Sequence, residues 1–121
     1  MYEVTFYKRD NGVCPVKSFI HDMDQTSDNQ TQLEQILLYV KKLAEFGMNI
    51  NQRFTREAVK KIENDLYELR PLKVRIFFTI VNNKYVLLHA YRKKSQKAPK
   101  QEIANARKEL KDYMRQLGDK R

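Results

Sequence analysis

Several residue types and patterns are scarce or absent in this 121-residue chain, and each absence excludes a class of protein. A single cysteine, Cys14, excludes an intramolecular disulfide framework and every zinc site built from several cysteines. With three glycines and three prolines, the chain is neither collagen-like nor proline-rich. No apolar run is long enough to cross a bilayer, so no membrane contact is expected. The first residues lack the basic start and apolar core of a signal peptide, which predicts a cytoplasmic protein.

Familiar catalytic and cofactor signatures are missing as well. The chain has no glycine-rich phosphate loop, no His-Glu metal motif and no Ser-His-Asp arrangement, so we expect neither a metal nor a cofactor. Hydrophobic residues make up 41% of the chain, which is enough to build a core. The length predicts one domain that spans residues 1–121.

What the chain has in excess is positive charge, and its second half carries all of it. Residues 1–59 carry seven basic and eight acidic side chains, whereas residues 60–121 carry seventeen basic and seven acidic ones. Between Glu68 and Glu102 there is no acidic residue at all. A one-sign block of this kind attracts a polyanion such as nucleic acid or the ribosome surface. A solubility patch, or a docking face for an acidic protein, would have the same composition.

The periodicity of apolar residues predicts an α+β domain with the element order β-α-α-β-β-β-α. Helices are expected to begin at Pro15, at a cap on Asp28 or Asn29, and at Pro99, with Gly47 ending the second. Residues 48–65 give no clear pattern. The resulting fold is a small antiparallel sheet with helices packed on one face. Strands are predicted over residues 2–8, 66–70, 74–81 and 85–91.

A register argument follows if residues 82–83 form a tight hairpin between two central strands. An unbroken ladder then places Lys73, Arg75 and Arg92 together at one end of one face. His89 and Tyr91 fall on the other face, which would pack against helices. A shift of one residue would reverse every one of these assignments.

Ordered motifs over the second half of the chain resemble a known family. They are LYELRP at residues 66–71, VRIFF at 74–78, VLLHAYRKKSQKAP at 86–99 and EIANA at 102–106. Together they are similar to the HigB-like branch of the RelE/ParE toxin superfamily, which includes the phage-derived Gp49-like proteins. The pattern departs mildly at Ala90, Tyr91, Ser95 and Ala98, none of which is a charged position of the family pattern.

The resemblance implies a RelE-like toxin of a type II toxin–antitoxin module. Many relatives are endoribonucleases that cleave mRNA in the decoding site of the ribosome, so the ribosome with its mRNA is one expected partner. A cognate antitoxin, of the helix-turn-helix type in this branch, is the other. Both partners are expected from the resemblance alone.

Chemistry also indicates which side chains would cleave RNA without a metal. The 2′-hydroxyl is an internal nucleophile, and the enzyme must stabilise negative charge on the phosphorus oxygens. Arginine matches phosphate oxygens with two donors and stays charged, which favours Arg75 and Arg70. Lys93 and Lys94 match the paired lysines of the family pattern, and Arg92 is added by the register argument.

Five further residues are candidates for RNA binding, and several of them have a plain structural alternative. His89 is either a hydrogen-bonded, half-buried histidine or a catalytic base. Tyr91 would stack on a base or pack in the core, and Arg75 would pair with an acid if it had no catalytic role. The RNA-binding candidates are Lys73, His89, Tyr91, Lys97 and Lys100.

Two other functions suit the same sequence. A ParE-type toxin inhibits DNA gyrase by protein contact without catalysis, and a similar fold does not decide between the two activities. A non-catalytic RNA- or ribosome-binding module would need the same charge. The block of cations favours RNA over gyrase, because gyrase inhibition needs no phosphate-handling centre.

Overall fold

The computed structural model describes residues 1–23, 27–95 and 97–119 and shows one five-stranded sheet with helices packed on it. The α+β class predicted from the sequence is confirmed. The strands are Glu3–Phe6 (β1), Val59–Glu63 (β2), Leu66–Leu69 (β3), Val74–Val81 (β4) and Lys84–Arg92 (β5). The helices are Pro15–His21 (α1), Ser27–Phe46 (α2), Ile50–Arg53 (α3) and Lys100–Asp119 (α4). Among the described residues, no helix is both long and apolar enough to cross a bilayer.

The sheet is mixed rather than wholly antiparallel. Its strand order is β1-β5-β4-β3-β2, and β1 runs parallel to β5 while the other neighbours are antiparallel. The helices α1, α2 and α3 lie between β1 and β2 in the chain. The strands β2 to β5 then form an antiparallel meander, and β5, its last strand, lies beside β1. The strands β4 and β5 lie in the centre, as their apolar residues on both faces predict.

The hairpin between the central strands has the predicted two-residue turn. Asn82 and Asn83 both have positive φ, at 51° and 65°, as a type I′ turn requires. Val81 pairs with Lys84, so the register at the turn is the one expected from the sequence.

Further along this hairpin, a β-bulge at Leu88 changes the register. Phe78 pairs with Leu87, but Phe77 pairs with His89, so Leu88 is the extra residue on β5. Leu88 packs in the same apolar cluster as Phe77, which means that two consecutive residues of β5 point to one face.

The bulge makes the predicted cluster of Lys73, Arg75 and Arg92 wrong. Arg75 pairs with Tyr91 and not with Ala90, while Arg92 pairs with Val74. Arg92 therefore starts from the opposite face of the sheet to Arg75. The local hydrophobic pattern does not reveal a single inserted residue. A register without the bulge therefore assigns the side chains beyond Leu88 to the wrong faces of the sheet.

Helices cover both faces of the sheet, which corrects the expectation that they share one. The side chains of α1 and α2 pack on one face with Val74, Ile76 and Phe78. Ala106 and Leu110 of α4 pack on the other face. Strands that are apolar on both faces need cover on both, so this arrangement follows from the composition of β4 and β5.

Polar contacts along its length fix α4 on its face of the sheet. Glu109 is buried and accepts hydrogen bonds from Arg9, with the closest approach 2.6 Å from Nη2 to Oε2. The hydroxyl of Tyr7 donates to Asp112 at 2.5 Å. Arg107 pairs with Glu63 beside the turn that joins β2 to β3. These anchors hold the first turns of α4, which carry Glu102, over β5.

Some predicted boundaries shift. The ambiguous stretch holds β2, an edge strand whose exposed Lys60 and Lys61 hide the usual apolar alternation. The helix α2 begins at Ser27, so Asp28 and Asn29 lie in its first turn instead of capping it. Gly47 follows α2 with φ of 57°, as predicted for the residue after a helix. Residues 24–26, part of the predicted polar linker, lie outside the described residues.

Candidate functional site

Two rows of polar and aromatic side chains cross the sheet on the face that α4 covers. In the first row Glu68 pairs with Phe77, which pairs with His89. In the second row Arg75 pairs with Tyr91. Neighbouring strands lie about 5 Å apart, so each row brings distant parts of the chain within the reach of one nucleotide.

The second row also includes the residue after β3, and a third row lies beyond it at the end of the sheet. Leu69 pairs with Ile76, so Arg70 follows the ladder opposite Arg75. Beyond them the backbone N–H of Lys93 donates to the carbonyl of Lys73 at 2.7 Å. We call these three rows the cationic end of the sheet, with the members Glu68, Phe77, His89, Arg70, Arg75, Tyr91, Lys73 and Lys93.

Glu68 is the buried centre of the cationic end. It is only 3% exposed, and its Oε1 lies 3.5 Å from Nε of Arg70 and 3.8 Å from Nε of Arg75. Its Oε2 accepts a 2.9 Å hydrogen bond from the hydroxyl of Tyr91. Two guanidinium groups thus share one carboxylate, and the cluster keeps a net positive charge.

Arg75 is buried, and its guanidinium group donates hydrogen bonds to backbone carbonyls near the start of β4. It is 6% exposed, and its Nη1 donates to the carbonyls of Leu72 at 2.7 Å and Val74 at 3.0 Å. Burial and then the charge of Arg70 lower the pKa of Arg75, and Glu68 opposes that shift. Both arginines predicted from the sequence therefore lie at Glu68, and Arg75 is the more buried of the two.

Arg70 is the more available of the two arginines. Its side chain is 18% exposed, and no hydrogen bond from it is formed within the described residues. Its buried Nε approaches Glu68 without hydrogen-bond geometry, so the guanidinium is held by charge while its outer donors stay unpaired. A group of this kind can receive a phosphate with two parallel N–H donors.

Tyr91 supports Glu68 and does not offer a free ring face in this arrangement. Its ring stacks on Phe77 with centroids 5.5 Å apart. Burial, followed by the charge and hydrogen bond of Glu68, raises the pKa of Tyr91, so it stays a hydrogen-bond donor.

His89 is paired with a carboxylate from α4. Its Nε2 lies 2.8 Å from Oε1 of Glu102, and Asn105 donates to the same oxygen at 3.4 Å. The imidazole is nearly parallel to the ring of Phe77, with an interplanar angle of 6°. His89 also lines a cleft of about 650 Å³ between α4 and the turn after β1. Stacking and the Glu102 bond fix the orientation of the ring, as in dyads that transfer protons.

The lysines around the cationic end have no carboxylate partner among the described residues. Within residues 1–23, 27–95 and 97–119, the lysines paired with a carboxylate are Lys42 and Lys84, both far from this end in sequence and register. Lys94, Lys97 and Lys100 are exposed, and Lys93 is half-buried. The unpaired lysines at or next to this end of the sheet are Lys73, Lys93, Lys94, Lys97 and Lys100.

Among the predicted catalytic residues, Arg92 directs its side chain away from the cationic end. Its side chain reaches the first turn of α2, where Nη2 donates to Oδ1 of Asn29 at 3.1 Å. It lines a second cleft with Lys73.

Two important residues, Glu68 and Glu102, were missed in the sequence. They are the acids that bound the acid-free window, and both fold back into it, Glu68 onto the arginines and Glu102 onto His89. Glu68 lies on β3, and Arg70 directly follows the strand. The two are two residues apart, so an extended chain puts their side chains on one face, which is a signal that the sequence does contain. Among the described residues, no three His, Cys, Asp or Glu side chains are grouped to hold a metal ion.

Comparison with known proteins assigns the chain to a family. Residues 18–111 match the family described as phage-derived protein Gp49-like (DUF891), and this span contains all three rows of the cationic end. The chain belongs to this family. Gp49-like proteins are associated with toxin–antitoxin modules, in which they are commonly the toxin, and this association suggests an antitoxin as partner. No curated protein matches the chain.

Proposed function

We propose that this Gp49-like protein is a RelE/HigB-type toxin that cleaves ribosome-bound mRNA without a metal or cofactor. One observation carries the proposal: Arg70 and Arg75 share the single carboxylate of Glu68, and the lysines of the next row have none. With two guanidinium groups on one carboxylate, one positive charge of the cluster has no counter-ion. The surplus of positive charge suits a phosphodiester.

The proposed reaction is an internal transesterification of RNA. The 2′-oxygen attacks phosphorus and forms a new P–O bond, while the bond from phosphorus to the 5′-oxygen breaks. The products are a 2′,3′-cyclic phosphate and a 5′-hydroxyl, so no water is consumed. Arg70 and Lys93 stabilise the charge that develops on the phosphorus oxygens. The departing 5′-oxygen takes its proton from Lys93 or Lys94.

His89 is proposed as the base that removes the proton of the 2′-hydroxyl. We assign the proton of Nε2 to a hydrogen bond donated to Glu102, whose Oε1 lies 2.8 Å away, and this assignment leaves Nδ1 to accept the proton. Glu102 is thus a positioning residue. Arg75, Glu68 and Tyr91 hold Arg70 in place beneath the substrate, and the exposed Lys94, Lys97 and Lys100 contact flanking phosphates.

A His89→Gln variant tests this role. We expect cleavage of ribosome-bound mRNA to slow by about 10²- to 10⁴-fold, because a glutamine cannot exchange a proton. The rate is measured in single-turnover assays, with Glu102→Gln as the companion variant, which should change the pH profile of the rate. Wild-type cleavage by a folded His89→Gln protein would exclude His89 as the base.

The activity itself is tested by inducible expression and mapping of mRNA 5′ ends. We expect growth arrest, with cuts in a reporter message that is translated and none in the same message without its start codon. Cuts in both messages would contradict ribosome dependence. Intact messages together with altered DNA supercoiling would favour the gyrase inhibitor, and arrest with neither change would favour a non-catalytic binding module.

We also propose an antitoxin as the protein partner of this toxin. A small antitoxin with a helix-turn-helix DNA-binding domain would neutralise the protein, and coexpression of the adjacent open reading frame should relieve growth arrest. Copurification of the two products would identify the complex directly.

A further inference from the structure

A second cleft opens on the opposite side of the sheet end from Tyr91. It has a volume of about 800 Å³ and lies between the first turns of α2, the turn from β3 to β4 and the end of β5. Its lining includes Asp28, Asn29, Gln32, Leu72, Lys73 and Arg92.

The most unusual residue of this cleft is Leu72. Its φ is 53°, a left-handed conformation that costs energy for leucine, and the side chain is 50% exposed. A glycine or asparagine would suit the backbone better, and a polar residue would suit the exposure. The turn therefore carries a residue that the fold alone does not favour.

The surrounding structure holds this strained turn rigidly. Gln32 is buried, and its amide donates to the carbonyl of Pro71 at 2.8 Å and accepts from the N–H of Lys73 at 3.0 Å. Arg75 donates to the carbonyl of Leu72 at 2.7 Å. Backbone strain that several buried groups maintain is typical of binding and catalytic sites.

Two cations flank the exposed leucine. The described structure contains no carboxylate paired with Lys73 or Arg92, and Arg92 donates from Nη2 to Asn29. Among the described residues that line the cleft, Asp28 is the only acid. An exposed apolar side chain between two such cations suits one nucleotide, whose base makes an apolar contact with the leucine while adjoining phosphates contact the cations.

We propose that this cleft binds a nucleotide of the single-stranded mRNA outside the cleavage point. The inference rests on the proposed function for the identity of the strand. Lys73 belongs both to this cleft and to the third row of the cationic end, so a bound strand would pass over the sheet end from Arg70 to Arg92. Arg75 joins the two places, because its guanidinium contacts Glu68 on one side and the Leu72 carbonyl on the other.

Binding of a 2′-O-methylated, fluorescein-labelled RNA 10-mer tests the cleft, because such a strand cannot be cleaved. In anisotropy titrations of the full chain we expect Lys73→Gln and Arg92→Gln each to weaken binding by about tenfold. Each should also reduce the slope of log K against log salt by about 0.7, the value for one phosphate contact in single-stranded nucleic acid. Leu72→Gly should weaken binding as well, without lowering the melting temperature, since glycine tolerates positive φ.

Matched variants control for charge and for exposed apolar surface. Lys41→Gln removes an exposed lysine of α2 and Leu37→Ala truncates an exposed leucine of the same helix, and neither should change the salt slope. Equal effects of the cleft variants and these controls would overturn the proposal. So would cleft variants that weaken binding of a labelled acidic peptide and leave RNA binding unchanged, which would assign the cleft to a protein partner.

The experiments distinguish a failure of the cleft proposal from a failure of the proposed nuclease activity. If wild-type protein cleaves translated messages but the cleft variants bind RNA normally, the cleft proposal is wrong and the activity stands. If the variants lose RNA affinity while the wild type cleaves nothing, the cleft is an RNA site on a non-catalytic protein.

Discussion

An Arg70→Ala variant is expected to abolish growth arrest while the protein stays folded. Arg70 is the partly exposed member of the pair on Glu68, and its outer donors are unpaired within the described structure. Loss of one preorganised donor group to a reacting phosphate slows cleavage by about 10²- to 10³-fold. The measurement is the single-turnover rate on programmed ribosomes, alongside colony counts after induction.

Two companion variants separate charge from geometry at this position. Arg70→Lys keeps the charge but not the planar pair of donors, so it should recover only part of the rate. Arg56→Ala removes an exposed arginine that forms no ion pair in the described part of the chain, and it should remain fully toxic. A folded Arg70→Ala protein with undiminished toxicity would contradict the assignment of the phosphate site.

A Glu68→Ala variant is expected to lose about 3–5 kcal/mol of unfolding free energy, because it leaves buried cationic groups without their carboxylate. Arg75 would keep its carbonyl partners but lose its counter-ion, and the hydroxyl of Tyr91 would lose its acceptor. Urea denaturation followed by circular dichroism gives the free energy directly.

The control for this loss of unfolding free energy is an acidic residue that forms no ion pair in the described structure. Glu34→Ala changes an exposed residue of α2 with no ion pair in the described structure, and surface changes of this type stay within about 0.5 kcal/mol. A Glu68→Ala protein as stable as this control would show that the two arginines do not depend on the shared carboxylate.

The same geometry changes what can be learned from Arg75. If Arg75 were the exposed phosphate ligand expected from the sequence, Arg75→Ala would remove toxicity and leave the fold intact. The structure shows a buried guanidinium that braces the turn at Leu72 through a backbone carbonyl. Its removal would disturb both stability and the alignment of Arg70, so a loss of toxicity in that variant would not by itself locate the phosphate.

The elements with strong local signals could be predicted from the sequence. Residues 74–81 form β4 as predicted, because a run of β-branched and aromatic residues ends at a pair of asparagines that suit a type I′ turn. The long amphipathic helix before Gly47 is equally clear. The edge strand β2 gives no such signal, since solvent-facing lysines interrupt its apolar residues.

The candidate site was only partly predictable, because its assembly depends on tertiary contacts. The residue types were found by charge and motif, but their grouping depends on the bulge at Leu88, which turns His89 and Tyr91 toward Arg75. Glu102 reaches His89 only because α4 crosses the face opposite α2, and no local pattern states on which face a helix will pack.

The bulge has a consequence for how this molecule could tolerate change. Leu88 is fully buried in an apolar cluster, whereas the next side chain, that of His89, lines the cleft beside α4. The boundary between the hydrophobic core and the surface of the cleft therefore lies between two adjacent residues of β5. A substitution that changes the packing around Leu88 would therefore also shift the imidazole of His89, because one peptide unit joins the two residues. Changes in this part of the core should affect function as well as stability.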